Sequence, residues 1–397
     1  MRTITKISPA KICIFFVSMG LLGILLSEET VYLRLADTGF ISGPKKTLVF
    51  AWMLFWSLLE IMHSRVKLNK TYKVFSAFTL VTLISTATGV VQDISIPRQM
   101  IHITVFFSVF TAFYVGAKKL GKETPIKLLK FMYLITALIY IYGKLVNRNG
   151  DSSANTIYYV LMFLPITSFI ETVPIRYAAC IFQILAVLQS NKRTALIAIL
   201  VYFVFVKLHA EKNADASKMA LKYAACCIGL VVIWIAFPYI TSWLNVTVFD
   251  ELSAASIQED GGSNRLYIYG QLWDVQKNSG LLHWLIGGGY NSVLMSKICT
   301  DGALGENVSA HNDFLEVLYD YGLTGIALYV SFFLNLVRSG KKSVSKYRVP
   351  FFGSILMVLI ISVTSHLVIY LNYYAVMFAF WGICLTEFDK PPVQNLK

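Results

Sequence analysis

The sequence predicts an all-α polytopic membrane protein with about 12 transmembrane helices and one large outer loop carrying short helices. Three observations predict it. The chain is 56% hydrophobic and only 14% charged over 397 residues, and its mean hydropathy is +0.62, beyond the range of soluble domains. Its apolar residues gather into runs close to the roughly 20 residues that cross about 30 Å of hydrocarbon. Lys and Arg concentrate on alternate connections between those runs.

In chain order, the apolar runs fall near 12–26, 47–62, 74–91, 99–117, 127–142, 156–172, 174–189, 194–208 and 219–240, then 314–337, 350–368 and 370–386. The first run follows Lys6 and Lys11 and has no small-x-small cleavage pattern before "SEET", so a retained helix is expected. Consecutive runs nearly touch around "ETVPIR" (171–176) and around 368–372. With the N-terminus inside, the inner connections and both termini hold 24 of the 35 Lys and Arg residues and the outer side 11, whereas acids divide 7 inside and 15 outside. That is the positive-inside pattern. The net charge of +13 therefore expresses topology and gives no reason to expect nucleic-acid binding.

The expected organisation is a single membrane domain: helices over 1–240, an outer loop over 241–312, and three helices with a cytoplasmic tail over 313–397. Five of the six cysteines (Cys13, Cys180, Cys226, Cys227 and Cys384) sit in apolar runs and only Cys299 in the loop, which excludes a disulfide framework within the chain.

The 72-residue loop opens acidic and polar ("FDELSAASIQEDGGSN") and then changes to "RLYIYGQLWDVQKNSGLLHWLIGGGYNS". There Ile268, Leu272 and Val275 recur at i, i+4 and i+7, predicting a short amphipathic helix lying at the membrane interface. Gly287, Gly288 and Gly289 end the pattern. No phosphate-binding Gly-Lys loop, paired-Cys zinc spacing, His-x3-His or Asp-x-Asp pair occurs in the chain, so no cofactor, metal or ATP-driven chemistry is expected.

Ionisable residues at the outer ends of apolar runs are the candidate chemistry. Lys192 and Arg193 precede an unbroken apolar run in "QSNKRTALIAIL"; the ordinary reading is an anchoring pair that snorkels. The pair nevertheless falls on the outer side, against the basic bias, and an arginine there must face inward or find an anion. Arg265 opens the amphipathic stretch. With Arg193 it could form a guanidinium clamp for phosphate or pyrophosphate. In "SAHNDFLEVLYDYGLTG", Asp313 and Glu316 have capping-box spacing before an apolar run and are expected to start a helix. Asp313, Glu316 and Asp320 fall within about 60° of helical arc. His311 precedes this stripe and, held at the outer lip beside carboxylates, is the candidate general base, set against a plain solvated histidine.

The ordered patterns "SNKRTALIAIL", "NRLYIYGQLWDVQKNSGLLHWLIGGGYNS" and "HNDFLEVLYDYGLTGIALYV" together resemble the O-antigen polymerase and O-antigen ligase superfamily of bacterial membrane glycosyltransferases. The departures are Asn264 where the family has Gly before the loop arginine, Tyr269 where it often has Trp, and Lys192 where Ser commonly precedes the helix arginine. The resemblance implies metal-independent glycosyl transfer at the periplasmic face of the inner membrane, with both termini cytoplasmic and glycans delivered on undecaprenyl pyrophosphate. It implies Arg193 and Arg265 as the pyrophosphate-binding pair, and His311 as the base, with Glu316 or Asp313 orienting or replacing it. A polymerase extending lipid-linked repeats is the first expectation, a ligase onto lipid A-core the second, and a lipid-linked oligosaccharide flippase the alternative of another class. The expected partners are lipid-linked oligosaccharides and the bilayer, with a chain-length regulator protein as a further candidate.

Overall fold

The computed structural model describes residues 8–89, 96–147, 154–190, 192–210, 265–300, 307–341 and 345–388. The first half runs through α1 (Pro9–Tyr32), α2 (Pro44–Ser64), α3 (Lys70–Thr88), α4 (Ile96–Ile103), α5 (Val105–Leu120) and α6 (Glu123–Val146). A 3-10 turn at Ala154–Thr156 leads to the short α7 (Ile157–Leu161) and α8 (Leu164–Thr167), then α9 (Val173–Gln189) and α10 (Arg193–Ala210). The described part of the long loop holds α11 (Arg265–Lys277), α12 (Leu281–Ile286), α13 (Ser292–Met295) and a two-stranded antiparallel ribbon, β1 (Cys299–Thr300) with β2 (Asn307–Val308). The described chain closes with α14 (Asp313–Lys341), α15 (Arg348–Thr364) and α16 (Leu371–Phe388). The expected span at 219–240 lies outside the described residues, as does the acidic opening of the loop.

This is a helical, multi-pass membrane protein. Among the described residues, five helices are long and apolar enough to cross a bilayer: Pro9–Tyr32, Pro44–Ser64, Ile96–Leu120, Glu123–Val146 and Asp313–Lys341. Shorter apolar helices accompany them. Hydrocarbon offers no water to hydrogen-bond the backbone, so each crossing segment satisfies its own N–H and C=O groups as a helix. The outward faces are apolar as a bilayer requires: Phe131, Leu134, Leu138, Ile141 and Leu145 are all exposed along one side of α6. Polarity is turned inward instead.

The centre is α16, almost every residue of which is buried. It packs most extensively on α5, through aromatic pairs such as Phe106–Phe378, with ring centroids 4.6 Å apart. Phe75 of α3 stacks on the same Phe378 ring at 5.0 Å. Trp381 donates its indole N–H to Ser354 Oγ at 2.9 Å, which ties α16 to α15 and satisfies the one polar atom of a buried ring.

Two expectations are corrected. The run at 156–172 is not one helix: Pro165 has no N–H for the Leu161 carbonyl four residues earlier, and α7 ends at Leu161. The span expected at 99–117 lies within Ile96–Leu120, which is long and apolar enough to cross as one segment and carries only a single turn residue at Thr104. In α11, Ile268 and Leu272 are buried as expected, but Val275 is 40% exposed and Gln276 takes the third inward position. That helix covers a small second core of Val293, Cys299, Ala310 and Tyr319. It is thus a packed element, whose inward stripe runs Ile268, Leu272 and Gln276, at i, i+4 and i+8.

Candidate functional site

The site is organised by one stripe of acids on α14. Asp313, Glu316 and Asp320 are all buried, and each ties down a different segment. Asp313 Oδ1 accepts the backbone N–H groups of Leu367 (2.6 Å) and Val368 (2.9 Å), while its Oδ2 accepts the Ser362 hydroxyl at 2.5 Å. It therefore fixes the turn between α15 and α16. Glu316 Oε2 accepts the N–H of Ala310 at 2.8 Å, fixing the segment before α14. Asp320 accepts the N–H groups of Asn291 (2.7 Å) and Ser292 (2.9 Å) and the Ser292 hydroxyl (2.7 Å), fixing the glycine-rich turn. A carboxylate bonded to several donors is a strong anchor.

Capping of α14 belongs to Asn312, not to Asp313 as expected. Asn312 Oδ1 accepts the N–H groups of Phe314 (2.9 Å) and Leu315 (3.2 Å), the usual N-cap geometry. The cap moved back one residue because the Asp313 side chain is committed to the neighbouring turn.

Further along, Gly322 has φ +65° and breaks the helical conformation. The carbonyls beside the break then accept bonds from outside the helix: Tyr319 O from Gly288 N–H (3.0 Å), and Asp320 O from Gly289 N–H (2.8 Å) and from Ser85 Oγ (2.6 Å). Gly287, with φ +76°, lies so close that a Cβ would overlap the Asp320 carbonyl. The "GGG" turn and the glycine of "YGLTG" are thus two sides of one contact.

These anchors hold a cavity of about 490 Å³, lined among others by Lys192, Arg265, Ser309, His311, His366 and Tyr370. Four separate chain segments deliver those side chains: the α9–α10 connection, the start of α11, the β2–α14 connection and the α15–α16 turn. His311 has φ +50°, a conformation uncommon for a residue with a Cβ and often found at functional positions. Its ring centroid lies 4.3 Å from that of His366. His366 Nδ1 is 2.9 Å from Ser309 Oγ. The Tyr269 hydroxyl donates to the His311 carbonyl at 3.4 Å, so the tyrosine that departs from the resembled pattern supports the histidine's backbone.

The electrostatics are cationic. His366 is held well below the usual histidine pKa, chiefly by burial and then by His311, Lys192 and Arg265. It is therefore neutral at pH 7. Burial, followed by the Arg265 charge, pushes Lys192 down to about 8. Two cations and two histidines around one cavity suit a polyanion.

Of the residues singled out from sequence, Arg265 and His311 line the cavity. Asp313 and Glu316 lie behind its walls, holding them. Of Arg193 only the backbone is described, as the first residue of α10; its side chain lies outside the described residues. Sequence reasoning missed His366, and it treated Lys192 as an anchor or a departure. A signal existed in "VTSHLVIY", a histidine at the outer end of the apolar run 350–368, where an ionisable group is costly without a role.

Comparison with known proteins supports the superfamily. Residues 178–330 match the model of the family described as O-antigen ligase. The match runs from α9 into α14 and so includes Lys192, Arg265, His311 and the three acids. It supports the O-antigen ligase and polymerase superfamily, and with it a glycosyltransferase-like membrane enzyme. No curated protein matches the chain.

Proposed function

We propose, on the premise that the chain is a member of the O-antigen ligase and polymerase superfamily, that it polymerises O-antigen or a related surface polysaccharide. It transfers a growing glycan from undecaprenyl pyrophosphate to the next lipid-linked repeat at the periplasmic face. The observation that carries the reading is the cavity that gathers Lys192, Arg265, His311 and His366.

Arg265 and Lys192, with Arg193 next to Lys192 in the chain, bind the pyrophosphate and stabilise the charge that develops as it leaves. His311 takes the proton of the acceptor hydroxyl as that oxygen attacks the anomeric carbon. His366 stands against His311 as a neutral neighbour. Asp313 and Glu316 are positioning residues, which hold the two histidine-bearing segments in register. No metal or nucleotide is required, because the leaving group arrives already activated.

A second reading, ligation of the finished chain to lipid A-core, is favoured by the description of the matching family. Deleting the gene in its host and resolving the lipopolysaccharide on a gel tests both. A polymerase null leaves core carrying one repeat; a ligase null leaves bare core and stranded lipid-linked polymer. Bare core with single repeats trapped on the cytoplasmic side would instead favour a flippase and overturn the enzymatic reading.

A further inference from the structure

A second cavity, of about 520 Å³, lies beside the first and shares Ile369 and Tyr370 with it. Its walls come from the end of α1, the α1–α2 connection, α4, Tyr290 and the start of α16. None of the chemistry above uses it.

This cavity is furnished for a polar ligand. Glu28 pairs with Lys46 and accepts the Tyr159 hydroxyl at 3.0 Å. Asn372 in turn donates to that hydroxyl at 2.7 Å. A hydrogen-bonded chain thus runs Asn372–Tyr159–Glu28–Lys46, and Arg98 adds a second cation to the lining. A groove meant for an acyl or isoprenoid tail would carry aliphatic side chains, because ionisable groups at a membrane-embedded surface are costly. Fixed donors and acceptors beside the flat ring of Tyr32 suit a hydroxyl-rich ligand with apolar faces. The volume falls within the roughly 300–1,000 Å³ of small-ligand sites.

The shared wall is the informative feature. Tyr370 belongs to the turn that carries His366, and the two rings stack with centroids 5.1 Å apart. Ile369, the other shared residue, has its carbonyl held by the Tyr290 hydroxyl at 3.2 Å. Transfer between two amphiphiles needs two sites that meet at one point, and the two cavities meet beside the histidine pair.

We propose that the second cavity is the acceptor subsite, holding the polar glycan of a phosphate-bearing amphiphile whose nucleophilic hydroxyl passes Tyr370 into the first cavity. This rests on the function proposed above. The hydroxyl proton goes to His311, the new bond forms from that oxygen to the anomeric carbon, and the bond from that carbon to the pyrophosphate oxygen breaks, its electron pair leaving with the pyrophosphate. The acceptor is either a second lipid-linked repeat or lipid A-core, which share this chemistry.

Native mass spectrometry of the purified full chain tests the subsite. The probes are lipid-linked repeats extracted from a host lacking the gene, alone or together with lipid A-core from that host. The expected result is two bound glycolipids, two repeats for a polymerase or one of each for a ligase. Ser42 is exposed in the α1–α2 connection and lines only the second cavity. Ser42→Trp should leave one glycolipid bound, and Arg265→Ala should remove the other. Lys46→Gln, which fills nothing, should weaken the second binding event about tenfold, the effect of losing one charged contact. One glycolipid on the wild type, or two on both Ser42→Trp and Lys46→Gln, overturns the subsite. The host's lipopolysaccharide ladder reports the proposed function separately, so a failed ladder and a failed stoichiometry are distinguishable.

Discussion

The carboxylate of Asp313 accepts the backbone N–H of Leu367 across the helix interface at 2.6 Å. With the Val368 bond on the same oxygen, it holds the turn that presents His366, so a buried acid outside the cavity sets the position of a residue inside it. Asp313→Leu keeps the approximate size but removes both acceptor oxygens, so the Leu367 and Val368 N–H groups lose their partner. Each buried donor left unsatisfied costs about 1–3 kcal/mol. We expect a lower unfolding midpoint in detergent together with weaker chain extension; an unchanged midpoint with full extension would show that the turn does not depend on this acid.

His311→Asn separates chemistry from backbone. Asparagine tolerates the left-handed conformation that His311 adopts at φ +50°, so the protein should reach the membrane in normal amount. Chain extension should be abolished, because the amide cannot take the acceptor's proton. A full polysaccharide ladder from the Asn variant would remove His311 from the mechanism.

Arg265→Ala should reduce turnover by about 10²–10³, the usual cost of losing one stabilising donor to a developing anion. Arg265→Lys should recover only part of it, because an ammonium lacks the planar fork that grips two phosphate oxygens. Equal activity of the Ala and Lys variants in membranes of matched protein content would exclude a charge-stabilising role.

Lys192 makes the site sensitive to pH. Burial, with the Arg265 charge, pushes it down to about 8, so it is charged at pH 7 and loses its proton as pH rises through about 8. Donor affinity should therefore fall between about pH 7 and pH 9. Lys192→Arg should flatten that decline; an identical pH profile in the variant would show that another group titrates.

Gly322→Ala should destabilise the protein by about 1–3 kcal/mol, because φ +65° is strained for a residue with a Cβ and that Cβ would crowd the Leu285–Ile286 peptide. Gly270→Ala is the control: it meets nothing within 4 Å and sits inside α11, where alanine is the better helix former. Thermal midpoints of the two variants check the contrast.

Much of the fold was legible in the chain itself. Apolar runs and basic connections determined a helical multi-pass protein, because a bilayer imposes length and polarity on every segment that crosses it. The acid stripe of Asp313, Glu316 and Asp320 was legible too, since helical periodicity puts i, i+3 and i+7 on one face whatever surrounds them. His311 stood out for a local reason, as an ionisable residue at the lip of an apolar segment, whereas Arg265, a loop arginine, gained weight only by partnership with Arg193 and the His311 motif.

What each acid grips, and which cations meet at the cavity, only the tertiary structure decided. Asp313 meets Leu367 across 54 residues, and Asp320 meets Ser292 across 28; no local pattern encodes such partners. His366 reaches His311 only because the α15–α16 turn is folded onto the start of α14. A sequence specifies which groups cannot stay in hydrocarbon, but packing chooses which of them share one cavity.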